Sequence, residues 1–358
     1  MASADLIDRL WLRYTVSTSL GTSLPSNSIW GALIRKTCTI IKLFRGDHSQ
    51  SWQPITKMAI SRVLNHTRVN LCMACHGPDA SLYLAKWTGR KYKIPWLVDF
   101  RDPILQPQRT EVRFFYRLFL KYVLLRHSSF LVNVTPVWAE FDKADFNKPV
   151  FCITNGYDET EFNVSHPSNP VMKILALGNI SYPSNEQMFF EALERLKSCA
   201  DNNSWEFVYR GNLHETFEMM ATKAGVSEYC NIGPSVPRNI ALNLMCQADV
   251  LVLFSMDVTK NSDPYLSKGY YPGKIFEFMA CKKAVLCIPG DHGQLDNLVI
   301  ETGIGRSCGT VDDIVNFVQG VKKGNYHPDF EEIKKYSRKN GARRLAQIMD
   351  QYSLECAE

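Results

Sequence analysis

The chain has 358 residues, of which 45% are hydrophobic and 22% are charged, and its net charge is +5. This balance is typical of a folded globular protein, and the length predicts two domains. No apolar run approaches the roughly 18–20 residues that span a bilayer, and the N-terminus lacks the apolar core of a signal peptide, so we expect a soluble, cytoplasmic protein.

Positive charge is concentrated in the first half of the chain. The first 160 residues carry 21 Lys and Arg against 12 Asp and Glu. Such an excess indicates an anionic partner, such as a membrane surface, a phosphorylated acceptor or nucleic acid, and it serves solubility equally well. No nucleic-acid-binding motif is recognisable, so nucleic acid is not expected as a partner.

The eleven cysteines are odd in number and irregularly spaced, which argues against a disulfide framework. Reduced thiols in a cytoplasmic protein are the simplest interpretation. The nearest approach to a metal motif is Cys72-Met-Ala-Cys75-His76, which has no second Cys/His pair nearby. We therefore expect no metal site.

The first 69 residues carry only weak helical patterns, at 30–44 and 55–64. A strand at 69–74 and a helix from 77 to 87 follow, and a second strand at 94–100 ends in Asp99, Arg101 and Asp102. Ligand groups are common at the carboxyl ends of parallel strands, so these are candidate catalytic residues, although an Arg–Asp pair that closes a turn explains them as well. His76 follows the first strand and is a fourth candidate, while a lone His is commonly structural.

Residues 109–127 are predicted to form a basic helix rich in aromatic side chains. Such a helix can lie in a membrane interface with its Lys and Arg side chains at anionic headgroups. Packing against a sheet explains its apolar residues equally well, so both interpretations stay open. A strand at 130–134, a helix at 136–144, a strand at 150–154 and a turn at 155–158 complete this half.

A linker at 165–170 precedes a regular alternation of strands and helices. The strands are predicted at 173–177, 206–209, 230–232, 248–254 and 284–288, and the helices at 185–198, 214–224, 237–246, 293–302, 311–319 and 330–351, with a further helix that has Pro272 in its first turn. This order predicts a parallel sheet with helices on both faces. We expect domains at 1–164 and 165–330, with a C-terminal helix in 331–358 that returns toward the first.

Three loops of the second half are expected to meet at the carboxyl edge of this sheet. Gly178 and Asn179 follow its first strand, Arg210 ends the second, and the loop 255–273 follows the fourth. Glycine lets a ligand approach the backbone closely, Asn179 offers an amide, and Arg210 either contacts a phosphate or caps the sheet. No Gly-x-Gly-x-x-Gly follows an early strand, so the dinucleotide-binding arrangement is not expected.

The strongest candidate binding element is the segment Tyr-Tyr-Pro-Gly-Lys-Ile-Phe-Glu-Phe-Met-Ala-Cys at 270–281. Pro272 suits the first turn of a helix, and the free N–H groups there, the helix dipole and the charge of Lys274 favour an anion such as a diphosphate beside Gly273. Glu277 shares the helix face with Lys274, where its carboxylate can accept hydrogen bonds from the hydroxyls of a ribose. The alternative is a surface ion pair between Lys274 and Glu277.

Four segments carry a resemblance to a known family. They are Trp96-Leu-Val-Asp-Phe-Arg-Asp-Pro103, Thr154-Asn-Gly-Tyr-Asp158, Pro272-Gly-Lys-Ile-Phe-Glu-Phe-Met-Ala280 with Lys283-Ala-Val-Leu286, and Tyr336-Ser-Arg-Lys-Asn-Gly-Ala-Arg-Arg-Leu345. Together they resemble retaining glycosyltransferases of family four, which have the two-domain GT-B fold. The resemblance extends from about residue 69 to the C-terminus.

The resemblance implies an α/β fold of two Rossmann-like parallel-sheet domains that face a central cleft, with a first domain that is shortened or irregular. The donor, a nucleotide-diphosphate sugar, would be held by the second domain, with Glu277 at the ribose and Gly273 and Lys274 at the diphosphate. Transfer would proceed with retention, without a bound metal or other cofactor, to a glycan or lipid-linked acceptor in polysaccharide or glycoconjugate biosynthesis.

The sequence departs from the family pattern in three places. Gly269 stands eight residues before Glu277, where family members usually carry a glutamate. The Arg and Lys often found after the first strand of the second domain are missing from residues 178–187, and no glycine-rich loop is recognisable in residues 1–69. A second hypothesis therefore accompanies the first: a non-catalytic GT-B-like subunit of a glycan-assembly complex. Either protein would be cytoplasmic, and the helix at 109–127 would place it at the inner face of a membrane.

Overall fold

The computed structural model describes residues 52–77, 80–102, 116–162, 170–180, 184–199, 205–257 and 269–354. The helix predicted at 30–44 and most of the linker predicted at 165–170 lie outside the described residues. The chain divides into two compact units, Met1–Leu131 and Val132–Glu358. The predicted domain boundary near residue 164 stays a prediction.

A parallel sheet of four strands occupies the first part of the fold, in the order β1-β2-β3-β4. Its strands are β1 (Cys72–Cys75), β2 (Trp96–Phe100), β3 (Phe130–Asn133) and β4 (Val150–Cys152). The helices are α1 (Gln53–His66), α2 (Ala80–Tyr92) and α3 (Pro136–Phe146). All of β3 and most of β2 are buried, as expected for parallel strands covered on both faces. The strands and helices predicted between residues 55 and 154 are confirmed, apart from the helix at 109–127.

The described end of the predicted helix at 109–127 is helical from residue 116 and continues as a π-helix, Leu120–Leu124. Leu120 and Leu124 are buried, whereas Tyr122 and Val123 are exposed. Residues 103–115 lie outside the described part of the chain. Packing in the core therefore accounts for one side of this segment and leaves another side exposed.

The second sheet has six parallel strands in the order β7-β6-β5-β8-β9-β10. They are β5 (Met172–Leu177), β6 (Trp205–Arg210), β7 (Cys230–Gly233), β8 (Val250–Phe254), β9 (Ala284–Ile288) and β10 (Gly305–Ser307). This is the 3-2-1-4-5-6 order of a doubly wound sheet. The sequence analysis did not predict β10, because a strand of three residues is too short to show a pattern. Its Gly305 passes so close to β9 that a Cβ there would lie 1.8 Å from the Val285 carbonyl oxygen, and this contact with a distant residue is not visible in the local sequence.

Within the described residues, six helices cover this sheet: α4 (Glu186–Lys197), α5 (His214–Lys223), α6 (Arg238–Gln247), α7 (Lys274–Cys281), α8 (Gln294–Thr302) and α9 (Val311–Lys322). Alternate residues of each strand point to opposite faces, so the sheet builds two cores. Ile174 and Val252 pack with α4, α5 and α9 in one core. Leu175 and Leu251 pack with α6, α7 and α8 in the other.

The prediction of one C-terminal helix at 330–351 was wrong. The structure has two helices, α10 (Phe330–Lys334) and α11 (Arg338–Leu354). Between them the Arg338 N–H donates to the Tyr157 carbonyl (2.8 Å), and the Tyr157 N–H donates to the Tyr336 carbonyl (3.2 Å). In an unbroken helix the Arg338 N–H and the Tyr336 carbonyl would bond to other residues of the helix. Because both groups bond to Tyr157 instead, the first helix ends here. Gly156 permits the pairing, because a Cβ there would lie 2.4 Å from the Tyr336 oxygen.

Candidate functional site

The candidate site lies at the carboxyl ends of β5 and β8, where the strand order of the second sheet reverses. Ligands of open α/β sheets bind in the crevice at this point. A cavity of about 110 Å³ lies here, lined by residues from the ends of both strands and from the start of α7, including Asn179, Phe254, Tyr270 and Gly273. The fold therefore brings together the described ends of two of the three loops that were expected to meet, the loops that follow β5 and β8.

Lys274 lies at the centre of this site, against the loop that follows β5. Its Nζ donates to the carbonyl oxygens of Leu177 (2.6 Å) and Asn179 (3.3 Å). Burial lowers the pKa of Lys274 from its ordinary value, and the Glu277 carboxylate partly opposes this shift. Gly178 makes the approach possible: its φ is +81°, and a Cβ at this position would lie 2.7 Å from Nζ.

The start of α7 differs from the prediction. The helix begins at Lys274 with Gly273 as its N-cap, so Pro272 lies before the first turn rather than in it. The Ile275 N–H donates to the Pro272 carbonyl (3.0 Å), which makes the entry a tight turn. Most of the helix is buried in the core, whereas Lys274 and Glu277 are only half-buried, on the face toward the cavities. The predicted shared face of these two residues is confirmed.

Glu277 pairs with an arginine that the sequence analysis missed. Arg238, the first residue of α6, donates from one nitrogen to Glu277 and from the other to Glu161, each at 2.7 Å. The alternative ion pair between Glu277 and Lys274 is not among the contacts of the described residues. A cation at the N-terminus of a helix opposes the helix dipole, so Arg238 directly after Pro237 was a signal that acidic partners lie nearby.

A second cavity, of about 120 Å³, adjoins the first across Lys274 and is lined by Gly178, Arg210, Ser235, Val236 and Glu277, among others. The Arg210 guanidinium bonds to the carbonyl oxygen and to the side-chain oxygen of Asn231, both at 2.7 Å. These bonds tie β6 to β7 and favour the capping role that was left open for Arg210.

Four further candidates lie in the first unit. The β1–β2 register pairs Cys75 with Asp99, and the following His76 N–H donates to the Asp99 carbonyl (2.9 Å). Arg101 and Asp102 follow directly on β2 and are exposed. Burial raises the pKa of Asp99, while Arg101 and a weak bond from the Cys75 thiol oppose the shift. His76, Asp99, Arg101 and Asp102 thus gather at the carboxyl ends of two neighbouring strands.

The described part of the chain holds no group of three or more His, Cys, Asp or Glu side chains placed to bind a metal ion. None of its helices is both long enough and apolar enough to cross a bilayer.

No protein-family model and no curated protein matches the sequence. Solved structures with a similar fold include a glycosyltransferase from Rickettsia africae ESF-5, with a TM-score of 0.61, 16% identity, and coverage of 84% of this chain and 81% of that one. A UDP-forming trehalose-phosphate synthase from Burkholderia vietnamiensis has a TM-score of 0.56 and 9% identity over 89% and 82% of the two chains.

A UDP-N-acetylglucosamine 2-epimerase is also similar, with a TM-score of 0.50 and 13% identity over 83% of this chain and 76% of that one. At these identities the likeness shows the fold alone. That fold is GT-B, with two parallel-sheet α/β domains, and both transferases and epimerases are built on it.

Proposed function

We propose that the protein is a glycosyltransferase that moves a sugar from a nucleotide-diphosphate sugar to a glycan or lipid-linked acceptor. The observation that carries the proposal is the position of Lys274 at the switch point of a doubly wound sheet, between two cavities, with Glu277 one turn deeper. A cation and a carboxylate in this order match a diphosphate followed by a ribose.

The donor would lie across Lys274. Two of the three N–H donors of the Lys274 ammonium bond to Leu177 and Asn179, which leaves one for a phosphate oxygen. The N-cap Gly273 has no side chain that could accept hydrogen bonds from the backbone N–H groups in the first turn of α7. An anion could accept them instead, and the helix dipole favours an anion at this end of the helix. Glu277 would accept hydrogen bonds from the ribose in the second cavity, where Ser235 and Val236 would face the base.

The chemistry would be retaining and metal-independent. Transfer on the donor's own face needs stabilisation of the departing diphosphate, which Lys274 and the α7 amides supply. Asp99, Arg101, Asp102 and His76 would serve the acceptor. The pathway would be surface polysaccharide or glycoconjugate biosynthesis, in the cytoplasm at the inner face of a membrane.

One observation favours the second candidate function, a non-catalytic subunit of a glycan-assembly complex. A Cβ at Gly269 would lie 2.1 Å from the indole nitrogen of Trp138, so position 269 has no room for any larger residue. A glutamate, which the resemblance leads us to expect at this position, would clash with Trp138, so a contact with the donor sugar must come from elsewhere. Binding of a nucleotide sugar without turnover would support this candidate.

The first test is a thermal-shift panel of nucleotide sugars and nucleoside diphosphates, since a ligand that binds only the native state raises Tm. For the best ligand, Glu277→Ala is expected to weaken binding by about 1–3 kcal/mol in calorimetry, as for the loss of a charged hydrogen-bond partner. Glu301→Ala, an exposed carboxylate on α8, is the matched control. Unchanged affinity in a folded Glu277→Ala protein would remove Glu277 from the site.

Product analysis then separates the possible reactions. The proposal predicts release of the nucleoside diphosphate together with a sugar newly joined to an acceptor, with the anomeric configuration of the donor. An altered sugar configuration without an acceptor would indicate an epimerase instead. Binding with neither product, across a panel of glycan and lipid-linked acceptors, would favour the non-catalytic subunit.

A further inference from the structure

Helix α1 exposes apolar side chains instead of burying them. Trp52, which precedes the helix, and Ile55, Met58 and Val63 are 59%, 76%, 60% and 56% exposed, and no residue of the helix is buried. A surface helix ordinarily turns its apolar stripe toward the core. Single exposed apolar residues are common, but four on one short segment indicate a surface that meets a partner.

The other side of α1 is the one that attaches it to the fold. The Tyr92 hydroxyl of α2 donates to the Ser61 hydroxyl (2.8 Å), and the Lys57 ammonium lies 5.6 Å from the centre of the Trp87 ring. Lys57 and Ser61 are four residues apart and share one helix face. The exposed apolar residues fall outside this face, so docking on α2 leaves them exposed.

The charge around α1 indicates which partner fits. Residues 9–78 carry nine Lys and Arg but a single acidic residue, Asp47. Arg62 and Arg68, in and just after α1, are both exposed. Two other partners could cover α1: the N-terminal residues 1–51, which have six Lys and Arg against three acidic residues, and a second copy of the chain, which would bring the same positive surface. Both carry the same sign of charge as α1 and are disfavoured by repulsion, whereas an anionic surface attracts it.

We propose that the outward face of α1 docks on an anionic lipid bilayer. Trp52, Ile55, Met58 and Val63 enter the interface between headgroups and acyl chains, and Arg62 and Arg68 contact the anionic headgroups. A basic helix with Trp and aliphatic residues on its free side has the composition of an interfacial helix. This site is separate from the segment 109–127 and does not depend on the proposed enzymatic activity.

The experiment is sedimentation of the full chain with vesicles of phosphatidylcholine alone or mixed with phosphatidylglycerol. Binding is expected only with phosphatidylglycerol and is expected to weaken as salt is added. Ile55→Glu with Met58→Glu should lower the partition coefficient at least tenfold. Met219→Glu with Ile300→Glu, equally exposed positions of the second unit, should leave it unchanged. Circular dichroism and Tm establish that both double variants are folded.

Three results would overturn the proposal. The first is equal vesicle binding by both double variants. The second is a loss of binding only when Arg117 and Lys121 are changed to Glu, which would assign docking to the 109–127 segment. The third is protection of Met58 from hydroxyl-radical oxidation without vesicles, or a change of oligomeric state in the Ile55→Glu/Met58→Glu protein, which would show that the chain or a second copy covers α1.

Discussion

Gly178→Ala is expected to destabilise the protein more than Gly324→Ala, although the two glycines have almost the same backbone conformation. Their φ values are +81° and +82°. A Cβ at Gly324 meets no atom within 4 Å, whereas a Cβ at Gly178 would lie 2.7 Å from Nζ and 2.9 Å from Cε of Lys274. The pair therefore separates the cost of the left-handed conformation from the cost of moving Lys274.

The left-handed conformation costs about 1–2 kcal/mol for a residue with a Cβ, and both variants carry this cost. In Gly178→Ala the ammonium must also leave the carbonyl oxygens of Leu177 and Asn179. A hydrogen bond to a charged group contributes about 1.5–3 kcal/mol. The free energy of unfolding should thus fall by about 1–2 kcal/mol in Gly324→Ala and, with the shorter bond to Leu177 alone counted, by about 2.5–5 kcal/mol in Gly178→Ala.

Urea unfolding at 25 °C measures both differences. Lys274→Met completes a double-mutant cycle, because its cost should shrink in the Gly178→Ala background if the alanine has already displaced the ammonium. Equal losses of stability in the two glycine variants, with additive effects of Lys274→Met, would refute the argued contact between Gly178 and Lys274.

Three further predictions concern charged groups. Arg238→Met should weaken binding of a nucleoside diphosphate but not of its 2′,3′-dideoxy analogue, because Arg238 positions Glu277 and Glu277 accepts from the ribose hydroxyls. Calorimetry with an equal loss for both ligands would contradict this. Asp102→Asn should lower kcat more than donor affinity, and steady-state kinetics with an unaltered rate would return the residue to a structural role. Burial raises the pKa of Asp99, so this carboxyl holds its proton more tightly in the folded protein than in the unfolded chain. The free energy of unfolding should therefore fall as pH rises from about 3.9, the ordinary pKa of Asp, toward the raised pKa. Asp99→Asn should remove this pH dependence in urea titrations.

The second sheet was predictable because its signal is local. Runs such as Val250–Phe254 and Ala284–Ile288 are continuously apolar and alternate with helical patterns, which only a buried parallel sheet explains. The features that were missed depend on contacts distant in sequence. Gly305 belongs to a strand because of Val285, and the C-terminal helix breaks because Tyr157 pairs with its backbone. No pattern within either segment records such a partner.

The candidate site likewise has a part that the local sequence predicted and a part that depends on distant residues. Helical periodicity placed Lys274 and Glu277 on one face of α7, since they are three residues apart and the residues between them are apolar. Their partners lie elsewhere in the chain: Lys274 contacts Leu177, 97 residues away, and Glu277 contacts Arg238. Spacing alone therefore identified the helix face that Lys274 and Glu277 share. It also suggested an ion pair between these two residues, whereas in the structure the partner of Glu277 is Arg238.

The bond between Arg238 and Glu277 raises the question of whether Glu277 is available to a ribose, and magnitudes decide it. The Arg238 side chain is 54% exposed, and an ion pair of this exposure is worth about 0–1 kcal/mol. Hydrogen bonds from ribose hydroxyls to a carboxylate contribute about 1.5–3 kcal/mol. The bond from Arg238 goes to Oε1 of Glu277, so Oε2 can accept a hydrogen bond from a ribose hydroxyl while the pair is kept. Since even a full loss of the pair would cost less than the ribose bonds gain, the Arg238 contact orients Glu277 without closing the site to a nucleotide.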